Sequence, residues 1–312
     1  MTTLQTNNLT QKTETSEPEP QATSGVNNHL AIIHESNLYA EPIAHVGNFA
    51  VTNTIFTSWI VAILLIIVSI SIKKKIKEIP SGIQNIFEVL VEEGEKLCDQ
   101  ITGSRKITET AFPVVLTIFI VVLINNWFGL LPLGGLGILQ TAEHGRVFIP
   151  FFRSGTSDIN GTLALAIVSV ISANIFGIVS IGIWKTLNRY VNLKTLGNIF
   201  TKVRKDPMVL IVSPIMFAVG LIETISEVAK VISLSFRLFG NIFAGEVLLA
   251  SMGAILAYIL PTPFYFLEIF VGAIQAFIFA VLTLVYYTIS ATDEEYEEEH
   301  DKGEGEIIEA TY

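Results

Sequence analysis

Thiol, imidazole and charge are all scarce in this chain. A single cysteine, Cys98, excludes an intrachain disulfide and a thiolate cluster for a metal. The five histidines, His29, His34, His45, His144 and His300, lie outside the apolar runs and show no ligand spacing, so neither a metal nor a cofactor is expected. Charged residues are only 15% of the chain, which is low for a soluble protein. The first 29 residues lack both a basic start and an apolar core, which excludes a conventional signal peptide. Their acidic residues argue against a transit peptide, and so for a bacterial cell (inner) membrane over an organelle membrane.

What the chain does have is hydrophobic length. Hydrophobic residues make up 51% of 312, and the mean hydropathy is +0.57. Several segments reach the roughly 20 apolar residues that a hydrocarbon core of about 30 Å requires. Lipid leaves helices and closed barrels as the spanning structures, and these runs predict an all-α polytopic membrane protein. The net charge of -10 is mostly one feature, because residues 293–309 carry ten Asp/Glu against one lysine. That acidic tail, 291–312, is expected to be solvated and disordered.

Crossings are predicted at about 54–72, 111–131, 159–184, 207–260 and 264–289, within a membrane domain of 51–290 that follows a polar 1–50 extension. Within that extension, 30–50 is expected to be an ordered or loosely docked lead-in. Residues 81–102 carry Ile83, Phe87, Leu90, Val91 and Leu97 on one helical stripe, with Glu88, Glu92, Glu93, Glu95 and Asp99 filling much of the rest. A helix of that pattern is too charged to insert and should lie in the interface, with Ser81 and Gln84 in capping-box register at its start. Asn125 and Asn126, inside the second crossing, read as interhelical hydrogen-bonding groups. The loop to residue 157 reads as Gly-rich and mixed. Segments 73–106 and 185–205 hold seven and six Lys/Arg, against one in 1–53, two in 132–158 and none in 261–263. The positive-inside rule then places the N-terminus outside and, after five crossings, the C-terminus in the cytoplasm.

Asp206 and Pro207 read as N-cap and first helical residue of the fourth crossing. Helical throughout, 207–260 would span about 80 Å, far more than a bilayer core. It must tilt steeply, break, or lie partly along the membrane. Together with 264–289 it predicts a long, steeply tilted hairpin about Pro261-Thr262-Pro263.

Arg237 sits inside this run, far from either end. A guanidinium stays charged, and an arginine at a helix centre costs roughly 2.5 to 3.5 kcal/mol to insert, so such residues face a protein interior or an aqueous path. A structural pairing with Glu246 is the plain alternative. At 100° per residue, Glu223, Lys230, Ser233, Arg237 and Asn241 share one stripe, with Glu227 somewhat further round and Glu246 pointing about 180° away. Glu223, Glu227, Lys230 and Ser233 lie toward the predicted cytoplasmic side. Asp158, Glu246, Glu268 and, one face along, Gln275 lie toward the other. Two polar clusters thus approach Arg237 from opposite surfaces. That pattern suits two offset half-channels, with the fixed cation blocking direct passage. No further titratable group in the chain can ferry a proton past Arg237, so a partner must bring one.

Ser233-Leu-Ser-Phe-Arg-Leu-Phe-Gly-Asn-Ile-Phe-Ala-Gly-Glu246 resembles the signature of subunit a of rotary ATP synthases. Asn126-Trp-Phe-Gly-Leu-Leu-Pro132, Asp158-Ile-Asn-Gly-Thr162 and Gln275-Ala-Phe-Ile-Phe-Ala-Val-Leu-Thr283 support it, in the family's order, across most of 50–290. The resemblance implies a stator subunit that is not catalytic alone, an ion-channel component of the ATP synthase complex. Its implied partners are a ring of c subunits with one membrane carboxylate each, the peripheral-stalk b subunits, the remaining ATP synthase subunits and the lipid bilayer, and no nucleic acid. Arg237 matches the essential arginine. Asp158, Asn241, Glu246, Glu268 and Gln275 match the outer half-channel and nearby positions, and Glu223, Lys230 and Ser233 the inner side. Some relatives carry histidine paired with an acid or a glycine where this chain has Glu246 and Glu268. The 1–50 extension and the acidic tail fall outside the family pattern.

A stand-alone secondary transporter would usually show internal repeats or paired Gly/Pro-broken helices, and a simple ion channel a ring of like groups about one axis. The five crossings show no repeat. The family also places Gln275 near the arginine. A straight hairpin about Thr262 would instead set Arg237 opposite position 287, so a bend near Ser251-Met-Gly253 is expected.

Overall fold

Long apolar runs with few breakers fold as helices here. The computed structural model describes residues 32–33, 40–47, 49–75, 82–131, 137–142, 145–184, 186, 209–256 and 259–309. Its long helices are α1 (Asn53–Lys75), α2 (Ile83–Thr102), α3 (Arg105–Leu130), α4 (Ile159–Ile181), α5 (Val209–Ile255) and α6 (Pro261–Glu309). All but α2 contain a stretch long and apolar enough to cross a membrane, within a few residues of the expected crossings. The all-α polytopic architecture holds.

α2 is amphipathic, as its pattern requires, but its apolar stripe divides. Cys98, Val91 and Ile101 pack toward α3 and α6, whereas Phe87, Leu90 and Leu97 stay exposed. Gly82, in a positive-φ conformation, is the N-cap of α2 with no side-chain cap, and the Gln84 amide donates to Glu88 Oε1 at 2.7 Å. Ser81 lies outside the described residues, as do 187–208 with Asp206 and Pro207.

The core runs as a column between α3, α4, α5 and α6. One half gathers Phe112, Val115, Ala173, Ala280, Leu284 and Tyr287; the other gathers Val122, Ala166, Leu234, Leu238, Ala276 and Phe279. Alanine at 166, 173, 276 and 280 lets the helices approach closely, the usual device where lipid offers no hydrophobic drive between helices. Hydroxyl pairs add to it: Ser169 meets Thr283 at 2.6 Å and Thr162 meets Ser235 at 3.2 Å, both buried.

α5 is continuous from Val209 to Ile255, Pro214 included, so of the three options for this segment a break is excluded. Its 47 residues extend about 70 Å, so a core of about 30 Å forces a steep tilt or a stretch along the surface. Helix continues unbroken through 251–253, where a bend would have reconciled the register. The register problem has a simpler cause. α5 ends at Ile255 and α6 begins at Pro261, so the turn is centred on position 258 and not on Thr262. Asn241 with Gln275 and Lys230 with Tyr286 are both symmetric about that centre.

Two parts differ from expectation. The acidic tail continues α6 as helix to Glu309. Glutamate is a good helix former, and a segment growing from an existing helix avoids the cost of nucleation. The lead-in and the α3–α4 connection form strands, namely β1 (Ile32–Ile33), β2 (Pro42–Val46), β3 (Phe49–Thr52), β4 (Gly137–Ala142) and β5 (Gly145–Pro150). β2 and β3 pair as an antiparallel hairpin turning at Gly47, while β5 pairs antiparallel with β4 and parallel with β1. Asn53 joins this cap to the bundle, donating its side-chain amide to the Pro150 carbonyl at 3.3 Å.

Of the two asparagines in α3, Asn126 bridges elements as expected. It donates to the Gly272 carbonyl of α6 at 2.9 Å and accepts from Thr156 Oγ1 at 2.6 Å. Asn125 donates within its own helix, to the Val121 carbonyl. Replacing Asn126 by leucine removes the bridge and leaves the buried Thr156 hydroxyl with Ser154 Oγ as its remaining partner, at an expected cost of about 1–2 kcal/mol. A lowered thermal midpoint of the detergent-purified complex is the measurement, and an unchanged midpoint would count against the bridge.

Candidate functional site

Opposite to the direction of α4, α5 carries its polar stripe from the far end of the bundle toward the strand-bearing end. Glu227 lies in the far half, where Oε1 accepts from Lys230 Nζ at 2.6 Å and Oε2 from the Asn174 amide of α4 at 3.0 Å. The Lys230 ammonium also stands 5.4 Å from the centre of the Tyr286 ring on α6. Glu223 is half-buried one helical turn before Glu227. One turn past Lys230 is Ser233, whose Oγ accepts from Arg237 at 3.4 Å.

Arg237 itself is exposed, while its neighbours Leu234 and Leu238 are buried in the core. Among the described residues no carboxylate pairs with it, so the plain alternative of an Arg237–Glu246 pair does not occur. Ile232 and Phe236, exposed on the same helix, leave the guanidinium beside apolar surface. One turn on, the exposed Asn241 donates to Gln275 Oε1 on α6 at 2.9 Å, which brings together the two residues that a Thr262-centred hairpin would have separated.

The remaining acids gather at the strand-bearing end. Glu246 is held by Arg153, whose Nε lies 2.9 and 3.1 Å from its two carboxylate oxygens. Arg153 was not among the residues singled out by sequence. The available signal was its place as one of two cations in the 132–158 loop, five residues before Asp158. Glu268 faces the helix position next to Glu246. A Cβ at Gly245 would collide with the Glu268 carboxyl group, so only glycine lets α5 and α6 approach this closely here. Glu268 is 8% exposed, and its Oε1 has no hydrogen-bond partner among the described residues.

Asp158 caps α4, accepting from the Asn160 backbone and side-chain amides, each at 3.1 Å, and from Thr54 Oγ1 of α1 at 3.3 Å. It belongs to the same loop as Arg153 but is turned toward α1. Beside it a cavity of about 520 Å³ opens between α1, α3 and α4, with Thr54, Ser58, Asn125, Thr156, Asp158 and Asn160 on its polar side. The Asn125 Oδ1 is buried and unpartnered, the kind of group that an ordered water serves.

The register is testable directly. With Cys98 replaced by alanine, cysteines introduced at Asn241 and Gln275 should be joined by a short bifunctional thiol reagent, and cysteines at Asn241 and Thr283, which a Thr262-centred hairpin would pair, should not. Joining of the second pair alone would reject the register.

The comparisons agree with this arrangement. The family described as ATP synthase A chain matches residues 55–288, from α1 to the end of the apolar part of α6. The ATP synthase subunit a of Mycobacterium bovis is 33% identical over 254 residues, covering 80% of this chain and 89% of that protein. That of Campylobacter concisus is 32% identical, covering 76% of this chain and 89% of its own. That of Moorella thermoacetica is 29% identical, covering 78% and 93%. With the match running through every apolar helix and both polar clusters, the chain belongs to the ATP synthase A chain family.

Proposed function

We propose that this chain is the proton-translocating stator subunit of a rotary ATP synthase, working against a ring of c subunits through two offset half-channels. The observation that carries the reading is Arg237, an exposed guanidinium on the long helix α5 with no carboxylate paired to it among the described residues. A fixed cation left open on an apolar face suits a partner that brings the anion.

The outer half-channel is formed by Asp158, Asn241, Glu246, Glu268 and Gln275, and the cavity beside Asp158, with Thr54, Asn125 and Asn160 on its wall, supports a wet approach there. The inner one is formed by Glu223, Glu227, Lys230 and Ser233. A ring carboxylate in lipid must be neutral, because an unpaired charge is costly there. Opposite Arg237 the charged form becomes favourable, and the proton leaves to one half-channel. After a step the carboxylate takes a proton from the other half-channel and can return to lipid. Each charge crossing the membrane releases about 2.3 kcal/mol per 100 mV, which biases the direction of rotation. Chemistry on ATP belongs to other subunits, and the peripheral-stalk b subunits hold this one still.

The same reading places the 1–50 extension and the strands outside, and the acidic tail in the cytoplasm of a bacterial cell. Reporters fused after residue 312 should be active only as cytoplasmic fusions, and those inserted near residue 143 only as exported ones. The reverse would overturn the topology. For the mechanism, Arg237→Ala is expected to abolish proton-driven ATP synthesis in membrane vesicles while the soluble sector still hydrolyses ATP. Coupled synthesis that survives the substitution would reject the function proposed.

A further inference from the structure

The two outer glutamates do not occupy equivalent environments. Glu246 is in contact with a cation and Glu268 is not. Arg153, 6% exposed, grips both oxygens of Glu246 through Nε, and its own placement is set by three elements. Its backbone N–H donates to Thr57 Oγ1 of α1 at 3.2 Å, and the next residue, Ser154, donates from Oγ to the Asn125 carbonyl of α3 at 3.1 Å. The Arg153 side chain then reaches α5. Glu268, one helix position across at Gly245, is also buried, and its Oε1 meets no donor among the described residues.

A buried carboxylate beside a guanidinium is compensated and keeps its charge, whereas one without a cation must alternate with its protonated form or be served by water. We propose that Arg153 is a positioning residue of the outer half-channel: it holds the Glu246 side chain in place beside Glu268, the carboxyl that exchanges protons. A proton from outer water binds the Glu268 carboxylate, the same carboxyl then releases it toward Asn241 and Gln275, and the ring carboxylate receives it. No group is oxidised or reduced. This assignment rests on the half-channel reading above.

The test is passive proton conduction through the membrane sector of the intact complex in vesicles stripped of the soluble sector, normalised to the amount of this chain by immunoblot. Glu268→Gln is expected to lower conduction about a hundredfold, the scale of a lost proton-transfer group. Arg153→Gln leaves the half-buried Glu246 without its cation and is expected to lower conduction roughly tenfold, and the double variant Arg153→Gln/Glu246→Gln reports on the pairing through the protein level alone. Arg153→Lys, which keeps a cation, should fall between Arg153→Gln and the unaltered chain. If Arg153→Gln fails to accumulate, recovery of the protein level in the double variant reads out the same pairing. An Arg153→Gln chain that conducts like the unaltered one, an Arg153→Lys chain no better than Arg153→Gln, or a Glu268→Gln chain that conducts normally would overturn the assignment. Failure of the underlying function would look different, because Arg237→Ala would then leave coupled synthesis intact.

Discussion

The hydrogen bond between Asn241 and Gln275 sets the register in which α5 passes α6, and most of the site follows from it. With those two residues level, Lys230 comes beneath the Tyr286 ring and Glu268 lands on Gly245. Arg237 falls in the interval between them, level with the buried Phe279, where α6 offers it no acid. A slip of one turn would move every polar group on α5 past its counterpart. In lipid such a slip is costly, because each amide or carboxyl left without a partner has no water to turn to. The polar groups therefore specify the helix pair as much as the apolar ones hold it together.

Stability and chemistry are divided between opposite faces of the same helix. Leu234, Leu238 and Ile242 of α5 are buried against α3, α4 and α6, while Ile232, Phe236 and Arg237 are exposed. One face is committed to the bundle and the other is left for a neighbour. The small residues at the α4 and α6 contacts serve the same end, since close packing on the inner face lets α5 stay straight through Pro214 despite its length. A rigid helix can hold a charge at one depth, which a broken one could not do as reliably.

Much of this could be read from the residues alone. Apolar length gave the five helices long enough to cross a membrane, and 100° periodicity gave the stripe from Glu223 to Asn241. What could not be read were the contacts made between distant segments. The pairing of Glu246 with Arg153 joins positions 93 residues apart, and nothing in local spacing signals it. The turn was misplaced because Pro261 and Pro263 look like its centre. Proline is equally suited to the first turn of a helix, and α6 uses them that way. The strands escaped notice because they are short and their partners lie far along the chain. The helical tail was missed because its charge suggested disorder, a rule that does not allow for a segment already attached to a formed helix.

The strand cap has a consequence for the order in which the molecule can be completed. Ile32 and Ile33 pair with Arg146 and Val147, so a segment near the start of the chain finds its place beside one made more than a hundred residues later. During synthesis α1 can enter the bilayer long before the segment preceding it has a partner. The cap can close only when the chain between α3 and α4 has emerged on the same side. Closing such a distant contact is slow relative to helix formation. The loop bearing Arg153 is continuous with β5, so its final seating belongs to this late step, a latch fastened after the helices are already in place.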